Sequence, residues 1–414
     1  MAPPTKILFR ALLTMTGESY ENGTLSIAEG RIQEISSNVQ SDPGPEVLDL
    51  SDCLILPGFV NAHCHLALSC LRGKLEPKPK FTEWIRDLRL VNSTIPHAER
   101  LQEMHRGAEE LLRSGVTHLA DYLGSVDLLD EFKPLVFRQI LFLETLGFKS
   151  SESTKIAEEL RVILEKNTLQ ENSRLQLAVS AHAPYSVSPG LFQSLQKLSK
   201  QFGLRFSSHV AEFAEEVRFL QEGGGEMQIF LEERGVADPT WKPPGKSPVQ
   251  YLESLEVLDS MTAVHLNYID GEELDLLVSR NVGAVFCPQS TTWFGRTRYM
   301  PVREMLDKGI AIGLGTDSLA SNDNLNFLNE LKAAEKMCPN VKRQEILHMA
   351  TAGGADALGL NAGRIMPGRP ADLVGFRVGP HSTEWQNVPF EPERNQADFV
   401  MVEGLDVSVN EGAT

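Results

Sequence analysis

The middle of the chain alternates between short apolar runs and stretches with helical periodicity, and this alternation constrains the fold most. It is typical of βα repetition around a parallel sheet, because parallel strands need a long crossover that is usually a helix. The predicted strands are residues 54–63, 116–121, 139–144, 175–182, 204–209, 261–265, 282–287 and 310–317. Predicted helices between them include residues 98–113, 152–165, 189–200, 271–280 and 324–336.

Eight strands, each followed by a helix, is the number at which a parallel sheet closes into a barrel. We therefore predict an α/β fold with a (β/α)8 TIM barrel over residues 54–362. The alternative is an open, doubly wound sheet. A chain of 414 residues has room for such a barrel and one small additional domain.

Both ends of the chain are rich in predicted strands. Residues 7–9, 24–27 and 31–35 precede the barrel, and residues 372–378, 399–402 and 405–409 follow it. Neither end alone has enough strands to be stable. We predict one small, discontinuous β-sandwich domain built from residues 1–53 and 363–414.

The composition and net charge of the chain limit the classes of partner and the cellular compartment that we expect. The net charge of −17 disfavours binding to phosphate backbones and anionic membranes, so neither nucleic acid nor membrane is a predicted partner. The five cysteines form no CxxC pair, which favours reduced thiols. There is no signal-peptide pattern and no apolar run of roughly 18 residues. We therefore expect a cytoplasmic protein.

Metal-binding and proton-transferring side chains occur where the predicted strands end. The carboxyl ends of barrel strands converge on one mouth, where active sites are built. A His-x-His pair at the end of a strand also places two imidazoles on the same face. The residues concerned are His63, His65, His182, His209, His265 and Asp317. The remaining histidines, His97, His105, His118, His348 and His381, are predicted to be ordinary surface or packed residues.

The ligand set fits one hydrolytic metal ion. Three histidines and one carboxylate, namely His63, His65, His209 and Asp317, leave a position for water, whose pKa the metal lowers toward about 7. Asp317 can also accept the proton of that water. The fourth predicted strand ends in Ser180-Ala181-His182, with no lysine that could bridge two ions. Zinc is the first choice, with iron(II) or manganese as alternatives.

Two further residues have open roles. His265 is placed to hydrogen-bond the attacking water, or alternatively to serve as a fourth nitrogen ligand. Glu212 follows His209 by three residues and can protonate the substrate. The alternative for Glu212 is an acid that favours the positive end of a helix.

At the level of motifs, the chain resembles the amidohydrolase superfamily, in the branch of chlorohydrolases and deaminases of adenosine-like compounds. The resemblance covers nearly the whole chain and rests on residues 57–65, 81–85, 182–186, 315–318 and 363–373, together with His209, Glu212 and His265. It implies the same four metal ligands, with Glu212 transferring a proton to a ring nitrogen and His265 assisting the water. It also implies substrate contacts from His182, from Glu83 and Trp84 in a lid over the sugar, and a homodimer.

A narrower resemblance is to the aminodeoxyfutalosine deaminases, through residues 287–290, 293–295 and 81–85. Such a substrate carries a benzoate. Its carboxylate could pair with Arg296 and Arg298, or with Arg72 and Arg89. The alternative for each arginine is a solvated loop charge.

We therefore predict a metal-dependent aminohydrolase that acts on the adenine-type ring of a small nucleoside derivative of the aminodeoxyfutalosine, adenosylhomocysteine or methylthioadenosine type. One alternative is a chlorohydrolase, or a guanine, pterin or triazine deaminase, of the same superfamily. A remoter alternative is a noncatalytic scaffold relative.

Overall fold

The structure is a computed structural model that describes residues 5–37, 47–133, 135–168, 174–379 and 382–408. His381 and Val409, the last residue of the final predicted strand, lie outside these ranges. Within them the strands are β1 (Thr5–Leu13), β2 (Ser19–Ala28), β3 (Arg31–Ser36), β4 (Val47–Pro57), β5 (Phe59–Cys64), β6 (Val116–Leu123), β7 (Arg138–Thr145), β8 (Leu175–Ala181), β9 (Phe206–Val210), β10 (Thr262–His265), β11 (Gly283–Phe286), β12 (Ile312–Leu314), β13 (Leu373–Arg377), β14 (Phe399–Val402) and β15 (Leu405–Asp406).

Helices lie between most of the strands. In the described part of the chain no helix is both long and apolar enough to span a membrane. The α-helices there are α1 (Phe81–Thr94), α2 (His97–Arg113), α3 (Leu129–Phe132), α4 (Ser153–Thr168), α5 (Pro189–Phe202), α6 (Ala214–Glu222), α7 (Gly225–Glu233), α8 (Pro248–Ser254), α9 (Gly271–Ser279), α10 (Pro288–Trp293), α11 (Val302–Asp307), α12 (Phe327–Met337), α13 (Arg343–Met349) and α14 (Ala352–Ala357).

The central sheet is a closed barrel of eight parallel strands, β5 to β12, in which β12 pairs with β5 to complete the ring. The predicted (β/α)8 architecture is confirmed. All residues of β5, β6 and β9 are buried. Burial on both faces explains why these strands do not show the regular alternation of apolar and polar residues that marks a strand with one face in water.

The two ends of the chain form a second sheet of seven strands, in the order β15-β14-β13-β4-β1-β2-β3. The predicted β domain from both termini is confirmed. The sheet curls so that Ile32 of β3 and Met401 of β14, near its two edges, share one apolar core. The β2–β3 turn packs so closely on the β14–β15 turn that a Cβ on Gly30 would lie 2.4 Å from the Glu403 carbonyl oxygen.

The predicted first barrel strand, residues 54–63, is wrong as a single element. Residues up to Pro57 belong to β4 of the curled sheet, and the barrel strand begins at Phe59. Gly58 joins them, and its amide donates to the Asp372 carbonyl at 2.9 Å. Residues 54–60 are apolar on both sides of Gly58 because both sheets bury them, so periodicity gives no sign of the change. β4 therefore extends beyond the predicted boundary at residue 53.

Several other predicted elements also have different bounds. The eighth barrel strand is short, Ile312–Leu314, so Asp317 lies beyond it on the loop. The helix predicted at 324–336 begins at Phe327, because the Asn326 side chain accepts from the Leu328 amide at 3.1 Å and caps it.

Candidate metal centre and substrate cavity

The barrel brings the sequence-predicted residues to one mouth. His63 and His209 are the second-last residues of β5 and β9, and His265 is the last residue of β10. The others follow their strands by one to three residues. His63 and His65 leave β5 on one side, as expected for alternate positions of a strand. The residues brought together are His63, His65, His182, His209, Glu212, His265 and Asp317.

Potential metal ligands lie close together. One ligand atom from each of His63, His65 and His209 falls within 4.8 Å of the others, and the same holds for His63, His265 and Asp317. His63 Nε2 is 3.6 Å and His65 Nε2 is 3.9 Å from Asp317 Oδ1. Nitrogen and carboxylate donors at this spacing fit a single divalent ion.

The hydrogen bonds of the imidazoles also fit a metal. His65 Nδ1 donates to the Tyr122 carbonyl at 3.1 Å, and His209 Nδ1 donates to the His182 carbonyl at 2.8 Å. Both contacts leave Nε2 free to bind an ion. His63 is fully buried, and neither of its ring nitrogens has a hydrogen-bond partner among the described residues. Buried polar atoms left unpaired in this way call for an explanation, and a bound cation supplies one.

Burial keeps His63, His65 and His265 neutral at neutral pH. It lowers the pKa of His63 to about 3 and that of His65 to about 4, against an ordinary value of 6.5. The pKa of His265 lies well below its ordinary value for the same reason. Neutral imidazole is the form that binds metals, so the cluster is ready for a cation at neutral pH.

Asp317 is held by three donors. The Ser318 amide donates to Oδ1 at 2.8 Å, and the hydroxyls of Ser290 and Ser321 donate to Oδ2 at 2.7 and 3.0 Å. Burial alone would raise the pKa of the Asp317 carboxyl, but contact with the histidines outweighs burial and holds it well below its ordinary value. His265 and Asp317 both have left-handed backbones, with φ of 77° and 58°. Asp317 is therefore an ionised, oriented carboxylate.

Glu212 sits between a histidine and an arginine. Its Oε2 lies 3.6 Å from His265 Nε2, and its Oε1 accepts from Arg296 Nη2 at 3.0 Å. The Glu212 and Arg296 side chains are only 9% and 8% exposed, which makes this a buried ion pair. The Glu212 amide donates to the carboxylate of the buried Glu216, and this bond holds the loop that carries Glu212 in place.

A cavity of about 500 Å³ opens over this cluster. Its wall includes Trp84 and His182, both predicted as substrate contacts. Trp84 is anchored by a 3.1 Å bond from its indole nitrogen to the Ala320 carbonyl, and His182 Nδ1 lies 2.6 Å from the Ser186 hydroxyl. Phe81 and Phe294 pack around Trp84.

Three predicted substrate contacts are placed elsewhere. Glu83 is exposed and is not part of the cavity wall. Arg298 donates to the Ile269 carbonyl at 2.8 Å and lies outside the wall. Arg296 binds Glu212 and does not face outward as a tail contact would. Of the two arginines proposed near the lid, Arg72 pairs with Glu110 and Arg89 does line the cavity.

Glu144, the second-last residue of β7, was not predicted as a site residue. Its Oε1 lies 3.5 Å from His209 Nδ1 and has no hydrogen-bond partner in the described part of the chain. Glu144 forms a compact group with His182 and His209. The signal was present, because Glu144 is an acid at the carboxyl end of an apolar run, just as the histidines are. Ser290 of α10 was also missed, since a single serine carries no such signal.

A closed parallel barrel with a histidine and aspartate cluster at its mouth defines a class of metal-dependent hydrolase, and comparison with known proteins gives the family. The profile of the amidohydrolase family matches residues 54–405. The chain therefore belongs to the amidohydrolase family.

Curated relatives cover most of the chain. It is 30% identical over 402 residues to a 5-methylthioadenosine/S-adenosylhomocysteine deaminase of Nitratidesulfovibrio vulgaris, spanning 90% of this chain and 84% of the relative. It is 29% identical over 384 residues to a 5'-deoxyadenosine deaminase of Methanothermobacter thermautotrophicus, spanning 89% and 84%. The crystal structure of Helicobacter pylori aminofutalosine deaminase superposes with a TM-score of 0.87 at 21% identity, covering 97% of this chain and all of the other, which shows a shared fold.

Proposed function

We propose that this protein is a metal-dependent aminohydrolase that replaces the exocyclic amino group of an adenine-type ring with oxygen, in a nucleoside derivative. The observation that carries the proposal is the convergence of a neutral histidine cluster, an ionised Asp317 and a paired Glu212 on one cavity floor. Curated relatives named as deaminases of 5′-modified adenosines support the choice of ring.

His63, His65, His209 and Asp317 would hold the ion, and zinc suits this three-nitrogen, one-oxygen set best, with iron(II) and manganese as alternatives. A bound divalent ion would lower the pKa of a water and polarise it for attack. His265 lies beside both Asp317 and Glu212, and this position supports the role of hydrogen-bonding the attacking water.

The protein supplies the proton transfers. Asp317 accepts the proton of the attacking water, and its three donors keep the carboxylate turned toward the histidines. Glu212 donates a proton to the ring nitrogen next to the reacting carbon, and it takes back the proton of the added hydroxyl group when the amino group leaves. After addition, the proton taken up by Asp317 is delivered to the amino group, which leaves as ammonia. His182 and Trp84 contact the nucleoside in the cavity.

The substrate panel follows from the relatives and from the motif resemblance. We propose to measure ammonia release by the zinc-loaded protein from adenosine, 5′-deoxyadenosine, methylthioadenosine, adenosylhomocysteine and aminodeoxyfutalosine, with Asp317→Asn as the blank. Loss of the amine also shifts the ultraviolet absorbance of the purine. Turnover of at least one compound, absent in the blank, is expected. No turnover of any compound by metal-loaded protein would contradict the proposal and favour a triazine, guanine or pterin substrate.

A cytoplasmic location, a homodimer and the division into residues 1–53, 54–362 and 363–414 remain predictions. Gel filtration with light scattering tests the homodimer directly.

A further inference from the structure

Two arginines, Arg89 and Arg234, line the outer part of the cavity. Arg89 of α1 and Arg234, which follows α7, both belong to its wall, and both are exposed, whereas the metal-centre residues are buried. Among the residues that the structure describes, neither side chain has an ion pair or a hydrogen bond. The arginines therefore mark the open end of the cavity.

The arrangement of α1 and α7 makes this lack of pairing unusual. Two ion pairs join the helices, from Lys80 to Glu226 at 2.6 Å and from Arg86 to Glu233 at 2.8 Å. Beside the cavity, by contrast, Arg89 faces Arg234, and both residues are positively charged. Burial, and then the charge of Arg234, lower the pKa of the Arg89 guanidinium, so the two groups repel each other. An anion between them would relieve that repulsion.

The charges elsewhere on the wall point the same way. Apart from the metal-centre residues and Glu144 beside them, the charged lining residues are Arg89, Arg234 and the exposed Glu152. The outer cavity is thus net positive in a chain with a net charge of −17. Such a local reversal attracts anions.

The rest of the outer wall is apolar. On α1, Ile85 and Leu88 share the cavity face with Arg89 at helical spacing, and on α7 Phe230 and Leu231 share it with Arg234. Leu146 and Ile156 contribute from other elements. A ligand that fills this part of the cavity therefore has an apolar segment and ends at the arginines.

We propose that Arg89 and Arg234 form a subsite for a carboxylate at the end of an apolar substituent on the 5′ side of the nucleoside. This rests on the proposed function, since it places the adenine ring at the metal centre. Paired guanidinium groups bind carboxylates through directed, charge-assisted hydrogen bonds. The natural substrate is then an adenosine derivative with an apolar, carboxylate-bearing tail, in preference to methylthioadenosine, whose tail is neutral.

The test compares a matched pair of ligands that differ only in charge. These are 5′-S-(4-carboxybutyl)-5′-thioadenosine and its methyl ester, together with their 6-oxo products, which cannot be deaminated. Binding of the two products is measured by calorimetry, and turnover of the two substrates by ammonia release. The variants are Arg89→Gln, Arg234→Gln and the double variant, with the exposed Arg106→Gln on α2 as the control.

We expect the wild-type protein and Arg106→Gln to bind the acid about tenfold more tightly than the ester. Each single variant should lower this ratio about threefold, and the double variant should bring it to about one. Affinity for the ester should stay constant in all of them. The ratio in the wild type should also fall as salt is added, because the site is partly exposed.

The two proposals fail in different ways. Equal binding of acid and ester by the wild type, or a ratio unchanged in the double variant, overturns the carboxylate subsite even if both substrates are deaminated. Preferential binding of the acid that depends on both arginines, without any ammonia release, overturns the deaminase proposal and leaves the anion subsite standing.

Discussion

At the scale of single residues, Arg296 shows that a residue's position in the sequence does not predict the contacts of its side chain. Its position in a loop after the seventh barrel strand predicted a contact with the substrate tail, yet its side chain is buried and paired with Glu212. Sequence spacing gives the strand that a residue follows, not the direction in which its side chain turns. The metal cluster was predictable because its residues lie at the ends of barrel strands, and these ends all converge on one mouth.

Replacing Arg296 tests the buried pair. Arg296→Gln leaves Glu212 buried without its guanidinium partner, and we expect a loss of about 3 to 5 kcal/mol in the free energy of unfolding and a drop in ammonia release. Urea unfolding and turnover are measured beside Arg298→Gln, which changes an exposed arginine of the same loop. Equal effects of the two substitutions would contradict the assignment of Arg296 as the partner of Glu212.

Glu144 offers a second test at this scale. Its carboxylate lies 3.5 Å from His209 Nδ1, which donates to the His182 carbonyl, so the negative charge of Glu144 can strengthen the ring as a ligand. We expect Glu144→Gln to weaken zinc binding about 10- to 100-fold in competition with a chelator. Glu152→Gln, another acid on the cavity wall, should leave zinc affinity unchanged. Wild-type affinity in Glu144→Gln would rule out this role.

At the scale of elements, the eight barrel strands and their helices could be predicted because most of them leave a periodic or mainly apolar pattern. The change of sheet at Gly58 could not, because the residues on both sides are equally apolar. Close packing between elements is similarly hidden in the sequence. A Cβ on Gly283 of β11 would lie 2.1 Å from the Ala357 carbonyl oxygen at the end of α14, so only glycine allows this strand and helix to meet.

A substitution at this contact should therefore destabilise the barrel without touching the metal centre. We expect Gly283→Ala to lower the free energy of unfolding by about 1 to 3 kcal/mol, as overpacking does, with zinc affinity of the folded protein retained. The control is Gly271→Ala at the start of α9, where a Cβ meets nothing within 4 Å. If both variants unfold at the same urea concentration, α14 does not pack on β11 as described.

At the scale of the whole molecule, the curled sheet and the barrel are joined by a buried polar contact. Asp372, next to β13, accepts from Arg138 of β7 at 3.0 Å and lies 3.6 Å from His118 Nε2 of β6. Burial lowers the pKa of His118 from 6.5 to about 4, so the imidazole is neutral between the two domains at neutral pH. Protonation of His118 in acid should therefore weaken the contact between the curled sheet and the barrel.

The sign of this effect follows from proton binding. Because the folded-state pKa of His118 lies below its unfolded value, the unfolded chain takes up the proton first, and the stabilising contribution is lost as pH falls from 6.5 to about 4. Over that range, we expect the free energy of unfolding of the wild-type protein to fall by about 3 kcal/mol more than that of His118→Gln. Urea unfolding of the metal-free proteins measures this difference. A difference between the two that does not vary with pH would contradict a neutral, buried His118.

The central claim is that one metal centre at the mouth of the barrel deaminates an adenine ring, and a zinc titration tests it most directly. Zinc is added back to chelated protein while ammonia release from a deaminated member of the nucleoside panel is followed. The account predicts activity that rises linearly, levels off at one ion per chain, and is absent at every zinc concentration in Asp317→Asn. Ammonia release that does not depend on added metal, or that persists in Asp317→Asn, would contradict it.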